Sequence, residues 1–165
     1  MLQFTPNAEN ARLLRDAFGR FATGVTIITA SHEGKAIGIT ANSFSSVSMD
    51  PALVLWSGSR EAGRFGYFEA ADHFAIHILG ADQCDLCWQV AKDAKALQGM
   101  DLAQNSEGVP LIDGALARFE CSSYATYDGG DHAIFVGKVL RASLRDDGEA
   151  LAFFKGQQGR FVQEG

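Results

Sequence analysis

Six stretches rich in β-branched and aromatic residues, several of them joined by short turns, dictate what this chain can fold into. They are Val25-Thr-Ile-Ile-Thr-Ala30, Ala36-Ile-Gly-Ile-Thr40, Ala52-Leu-Val-Leu-Trp56, His73-Phe-Ala-Ile-His-Ile-Leu79, Ala115 to Thr126 and Ala133-Ile-Phe-Val-Gly-Lys-Val-Leu140. Side chains of this kind suit a pleated, half-buried surface. Glu33-Gly34 lies between the first two runs and predicts a tight hairpin, because Gly tolerates the positive φ such turns need. Parallel strands would require a helix between nearly every pair. Only two helical intervals, near Arg64 to Ala70 and from Asp82 to about Ala96, interrupt the series. The pattern therefore predicts an antiparallel barrel with helices packed on it.

A third helix is expected at the start, from about Pro6 to Phe21, with Thr5 as its cap. Leu13, Leu14, Ala17, Phe18 and Phe21 fall on one face at helical spacing, with Arg12, Arg15, Asp16 and Arg20 on the other. Gly24 then releases the chain into the first strand. No repeat, low-complexity tract or linker divides the sequence, and 165 residues that are 47% hydrophobic suffice for one domain, 1–165, with a sizeable core.

Charge narrows the function. The formal balance is −6, with no basic stripe, which speaks against nucleic acid as a partner because such binding depends on clustered Lys and Arg. The opening Met1-Leu-Gln-Phe-Thr-Pro6 lacks the basic start and apolar run of an export signal, and no apolar stretch reaches the ~20 residues of a membrane span. A cytoplasmic protein without membrane association is expected. Cys84, Cys87 and Cys121 are an odd set, which disfavours a disulfide framework. Cys84 and Cys87 have the C-x-x-C spacing of zinc and redox sites, but without a second pair they read as two small side chains on one helix face. His32, His73 and His77 lack a carboxylate or cysteine at ligand spacing, and no metal is expected.

The most polar strand-like segment is Gly38-Ile-Thr-Ala-Asn-Ser-Phe-Ser-Ser-Val-Ser-Met-Asp-Pro51. Thr40, Asn42, Ser43, Ser45, Ser46 and Ser48 offer donors and acceptors without bulk, and Gly38 and Ala41 let a ligand approach the backbone. A phosphate or the edge of a heteroaromatic ring would suit it. An edge strand with its hydroxyls in water is the plainer alternative.

Several segments in order resemble the flavin reductase family of split-barrel flavoproteins. They are Phe18-Gly-Arg-Phe-Ala-Thr-Gly-Val-Thr-Ile-Ile-Thr29, the polar row Gly38 to Pro51, Phe74-Ala-Ile-His-Ile-Leu79, Ala81-Asp-Gln83, Glu120-Cys121, and Gly130-Asp-His132 followed by Val136-Gly-Lys-Val139. The resemblance implies a mainly β fold, a six-stranded antiparallel split barrel with flanking helices. It further implies a homodimer, FMN as cofactor with FAD as second choice, and NADH or NADPH as hydride donor. A partner monooxygenase could receive the reduced flavin.

Site residues follow from the same resemblance. Thr40, Ala41, Asn42 and Ser43 occupy the segment that contacts the flavin ring and ribityl chain, and the loop Ser57-Gly-Ser-Arg-Glu-Ala-Gly-Arg64 corresponds to the one holding the flavin phosphate through Ser57, Ser59, Arg60 and Arg64. Glu61 departs from the family pattern, since a carboxylate repels a phosphate in a partly desolvated site. His132 falls where the family places a histidine beside the nicotinamide, and is the catalytic candidate. Asp131 is counted with the cofactor-binding residues, although Gly130 before it also marks a turn. Hydride transfer asks the protein mainly to position two rings, which accords with the absence of a Ser/His/Asp or paired-carboxylate arrangement. Two rival functions remain open: a flavoprotein that keeps its flavin and has no nicotinamide site, and a small barrel that binds heme or nothing.

Overall fold

The computed structural model describes residues 1–162, so the last three residues of the expected 1–165 domain lie outside the described residues. Helix α1 (Ala11–Phe18) is followed by strands β1 (Thr23–Gly24), β2 (Thr26–His32), β3 (Lys35–Ala41), β4 (Ser45–Met49) and β5 (Ala52–Ser59). Next come α2 (Phe65–Glu69), β6 (His73–Ile78), α3 (Cys84–Lys92), β7 (Ala103–Gln104) and β8 (Pro110–Leu111). Two long strands, β9 (Ala117–Gly129) and β10 (His132–Leu144), precede a final hairpin of β11 (Ala150–Phe154) and β12 (Gln157–Phe161).

Seven strands form the main sheet in the order β3-β2-β6-β9-β10-β5-β4. Every neighbouring pair is antiparallel, as the scarcity of helices predicts. The expected six-stranded barrel is not what forms: the sheet has seven strands and its edges do not pair. The polar row explains the difference. It does not run as one strand but breaks at Asn42–Phe44, so that β3 ends at Ala41 on one edge and β4 begins at Ser45 on the other. Four residues can span at most about 14 Å, whereas seven strands laid flat would separate the edges by roughly 29 Å. The sheet must therefore curl until its two edges face each other across a seam. Ser43 secures the seam: its hydroxyl accepts from the Ser57 N–H at 2.9 Å and lies 3.1 Å from the Ser57 carbonyl.

Curling creates an inside and an outside, and β2 is buried on both. Ile28 and Ala30 join Trp56, Phe68, Phe74, Ile76 and Phe135 inside the curl. Ile27 packs outside with Leu79, Cys87, Val90 and Leu97. A strand covered on two faces reads as a continuous apolar run, which is why Val25–Ala30 shows no alternation. Gly137 permits close packing within the curl, since a Cβ there would lie 2.6 Å from the Phe74 ring and 2.9 Å from Cys121 Cβ.

The helices are shorter than their periodicity implies. A 3₁₀ turn, Ala8–Asn10, opens the first, and Asn7 rather than Thr5 caps it, its side chain accepting from the N–H groups of Glu9 and Asn10 at 3.0 Å each. The apolar side of α1 is not packed into the core: no residue of the helix is buried, and Phe18 and Phe21 are 69% and 76% exposed. Cys84 and Cys87 do share one face of α3, where Gln158 bridges them, 2.8 Å from one sulfur and 3.1 Å from the other. No helix among the described residues is long and apolar enough to cross a membrane.

Candidate functional site

Three segments far apart in sequence enclose a groove of about 1050 Å³: the end of α1 with the run into β2, the break between β3 and β4, and the turn of the β11–β12 hairpin. The hairpin turn uses Lys155 and Gly156 at φ 51° and 77°, the conformation of a tight two-residue turn. Its Lys155 N–H donates to the Gly19 carbonyl at 2.8 Å, fastening the hairpin to the end of α1. Phe44 and Phe119 stack with centroids 5.6 Å apart and planes 15° off parallel, and both line the groove.

The predicted residues separate into three groups. Thr40, Ala41 and Asn42 line a smaller hollow of about 200 Å³ with Cys87, Trp88 and Gln158, and Asn42 and Ser43 also line the large groove. Ser57 joins this group through Ser43. Ser59, Arg60, Asp131 and His132 gather at the far end of β5 and β10, where His132 pairs with Ser59 in register and the Arg60 N–H donates to the Asp131 carbonyl at 2.9 Å. His132 Nδ1 lies 2.8 Å from Asp131 Oδ1, and this contact lowers the Asp131 pKa from its ordinary value. Arg60 pairs with Asp128 at 2.9 Å. Arg64 stands apart. Its guanidinium donates to the carbonyls of Gly38 at 2.9 Å and Val90 at 2.7 Å, capping the end of α3 and holding it to β3. Desolvation lowers its pKa, opposed by Asp93.

Sequence reasoning gave Phe18–Thr26 no part in ligand binding and did not mark the hairpin Ala150–Phe161 at all, yet together they build much of the groove wall. The signal available was Phe154-Lys-Gly-Gln157, a turn dipeptide between runs of large side chains.

The groove suits a flat heteroaromatic ring. Its walls are largely apolar, the Asn42 amide makes no side-chain hydrogen bond among the described residues, and the Thr23 hydroxyl is buried without a partner at the groove wall. A few convergent polar groups in an apolar cleft is the usual make-up of a cofactor site.

Residues 18–161 match the flavin reductase like domain, and the chain belongs to that family. It is 50% identical over 161 residues to the FMN reductase (NADH) SmoA of Agrobacterium fabrum, covering 98% of this chain and 92% of that one. It is 47% identical over 131 residues to the reductase component of the flavin-dependent trigonelline monooxygenase of Acinetobacter baylyi, covering 78% of this chain but only 42% of the relative. Among solved structures it superposes on the NADH:FAD oxidoreductase SgcE6 of Streptomyces globisporus with a TM-score of 0.90 at 34% identity, covering 99% of this chain and all of that one.

Proposed function

We propose that this protein is a flavin reductase that passes hydride from NADH to a flavin held against the break between β3 and β4, with FMN the first choice and FAD the second. The observation that carries it is the groove, where aromatic walls meet the unpartnered amide of Asn42 and the orphaned hydroxyl of Thr23 in a chain of this family. A flavin bound there would supply the acceptor for the two electrons and proton of the hydride, and would then pass as reduced flavin to another protein. Asn42 and Ser43 would hold the ring edge, Thr40 and Ala41 the chain behind it, and Ser57, Ser59 and Arg60 the phosphate. Arg64 would act at one remove, by fixing β3 through the Gly38 carbonyl. The curled sheet with its unpaired seam is read as the split barrel, and a monooxygenase is the proposed recipient of the reduced flavin. Oxidation of NADH that requires added flavin, followed at the nicotinamide absorbance, tests the reading. A protein that binds flavin but oxidises no NADH would favour the electron-carrier alternative.

His132 is proposed to orient the nicotinamide, its ring held by Asp131. Supporting this, β5 runs only two residues from Ser59, opposite His132, to Ser57, which Ser43 grips. His132→Ala is expected to lower the rate of NADH oxidation about tenfold to a hundredfold, roughly 1.4–3 kcal/mol of positioning, with flavin affinity nearly unchanged. Parallel steady-state kinetics and flavin titration check it; unchanged turnover would remove the role.

A homodimer is also proposed. Val47, Met49, Leu140 and Leu144 are 49%, 92%, 41% and 81% exposed along β4 and β10. A second copy is the occupant that would cover an apolar face beside an unpaired edge strand. Light scattering at micromolar concentration should return twice the chain mass, and a monomeric mass would count against it.

A further inference from the structure

The charge of the groove runs opposite to that of the molecule. Acids outnumber bases by 20 to 14 in the chain, yet the groove carries Arg15, Arg20 and Lys155 against Asp16 alone. Elsewhere Arg60, Arg118, Arg141, Arg145 and Arg160 each hold a carboxylate. None of the three groove cations takes part in an ion pair among the described residues. They are also gathered by the fold. Gly19 donates its N–H to the Arg15 carbonyl at 2.9 Å and accepts from Lys155 at 2.8 Å, so Arg15, Arg20 and Lys155 all attach within one helical turn of Gly19. Beside them stand three rings, Phe18, Phe21 and Phe153, the first two largely exposed.

Cations left without partners in a cleft attract an anion, and guanidinium groups suit phosphate oxygens in particular. Exposed rings beside them offer a stacking face for a base. At about 1050 Å³ the groove lies at the upper end of the range for small-molecule sites and has room beyond a single flavin ring. We infer that Arg15, Arg20 and Lys155 bind the diphosphate of an adenosine diphosphate moiety, whose base packs against Phe18 or Phe21. This rests on the flavin reductase reading, within which two dinucleotides carry that moiety, NADH and FAD.

The test measures NADH oxidation by the full chain with riboflavin, FMN and FAD as acceptors, in the wild type, an Arg20→Ala/Lys155→Asn double variant and an Arg20→Lys variant. Asparagine tolerates the positive φ of position 155, and both side chains are exposed, so the double variant should fold. The double variant is expected to raise the KM for NADH about tenfold or more, with kcat and riboflavin affinity kept, while Arg20→Lys stays within a few-fold of wild type. Adenosine 5′-diphosphate alone should compete with NADH in the wild type and lose potency as salt rises. A preserved KM for NADH combined with a raised KM for FAD, but not for FMN, would assign the moiety to FAD and would place the FAD diphosphate in the groove instead of at Ser59 and Arg60. The inference is overturned if neither changes, if riboflavin binding weakens equally, or if the only effect is dissociation of a dimer, which would make a second copy the occupant of the groove. A wild type that oxidises no NADH with any flavin sinks the flavin reductase reading as well; an active wild type with indifferent variants sinks the subsite alone.

Discussion

Truncating Trp56 to alanine is expected to cost about 3–5 kcal/mol, the range for removing a large aromatic from a packed core. The indole is 1% exposed at the centre of the curled sheet. It stacks on Phe135 with centroids 4.5 Å apart and meets Phe68 and Phe74 edge-on at 5.3 and 6.3 Å. A domain of this size has roughly 5–15 kcal/mol in all, so thermal unfolding should fall by about 6–20 °C. Function should fall with it, because the next residue, Ser57, is the one Ser43 grips across the seam. Flavin affinity in Trp56→Ala should therefore drop even at temperatures where the variant stays folded. Trp56→Phe is the informative control. The indole N–H is buried with no partner, so replacing it with a ring lacking that donor loses volume but also removes an unsatisfied group. The phenylalanine variant should retain most of the stability, and an equal loss in both variants would mean that packing against Phe135 is not what matters.

The second large effect is on acid stability and comes from His77. Its ring is buried near the end of β6, with Nδ1 donating to the Ile27 carbonyl at 3.1 Å and Nε2 accepting the Ile112 N–H at 3.0 Å. Desolvation lowers its pKa to about 4; the Ile27 contact and Glu120 oppose the shift, and Arg118 reinforces it. Protonation would also place a proton where Nε2 now accepts. The unfolded chain titrates near 6.5, so between about 6.5 and 4 the unfolded state binds more protons than the folded one. Stability from this group is thus complete above about pH 6.5, declines as the pH falls through that window, and levels off below it. The decline amounts to roughly 3 kcal/mol, or about 6–12 °C in the midpoint. Glu107 and Glu120 have lowered pKa values, Glu107 chiefly through Arg141 and Glu120 through Asn105 and Arg141 against the opposing effect of burial. Their contributions are present above the unfolded carboxylate pKa and lost as the pH falls through their folded values, at the acid end of the scan. His77→Gln removes the titration, so its midpoint should vary less between pH 6.5 and 4.5 than that of the wild type. Identical slopes would refute the assignment.

Local chemistry was legible in the sequence wherever a few neighbouring residues decide the outcome. Glu33-Gly34 adopts φ 50° and 74° because a two-residue turn demands it, and the flanking β-branched runs pair from Thr26 with Ala41 to His32 with Lys35. The antiparallel class followed from how little helix separates the strands. The polar row stood out by composition, but its break did not: Asn42–Phe44 leaves the strand because the curled sheet brings two edges together there. Arg64 shows the same limit on another scale. In sequence it is a cation in a loop beside a candidate phosphate site, whereas in the fold it meets the carbonyls of Gly38 and Val90, which lie 26 residues away on either side. Likewise the two sides of α1 were legible in the sequence, but not that the apolar one would stay out of the core. Helical periodicity reports only that one side avoids water, and which surface covers it depends on where the β11–β12 hairpin folds back and leaves a groove open. The sequence by itself determined six of the seven strands of the main sheet, the Glu33-Gly34 turn and the family, since these rest on local sterics and on runs of residues that suit a buried pleat. The tertiary structure alone decided which distant side chains share the groove, because that depends on the curling of a sheet whose unpaired end strands are brought near each other by contacts no local pattern encodes.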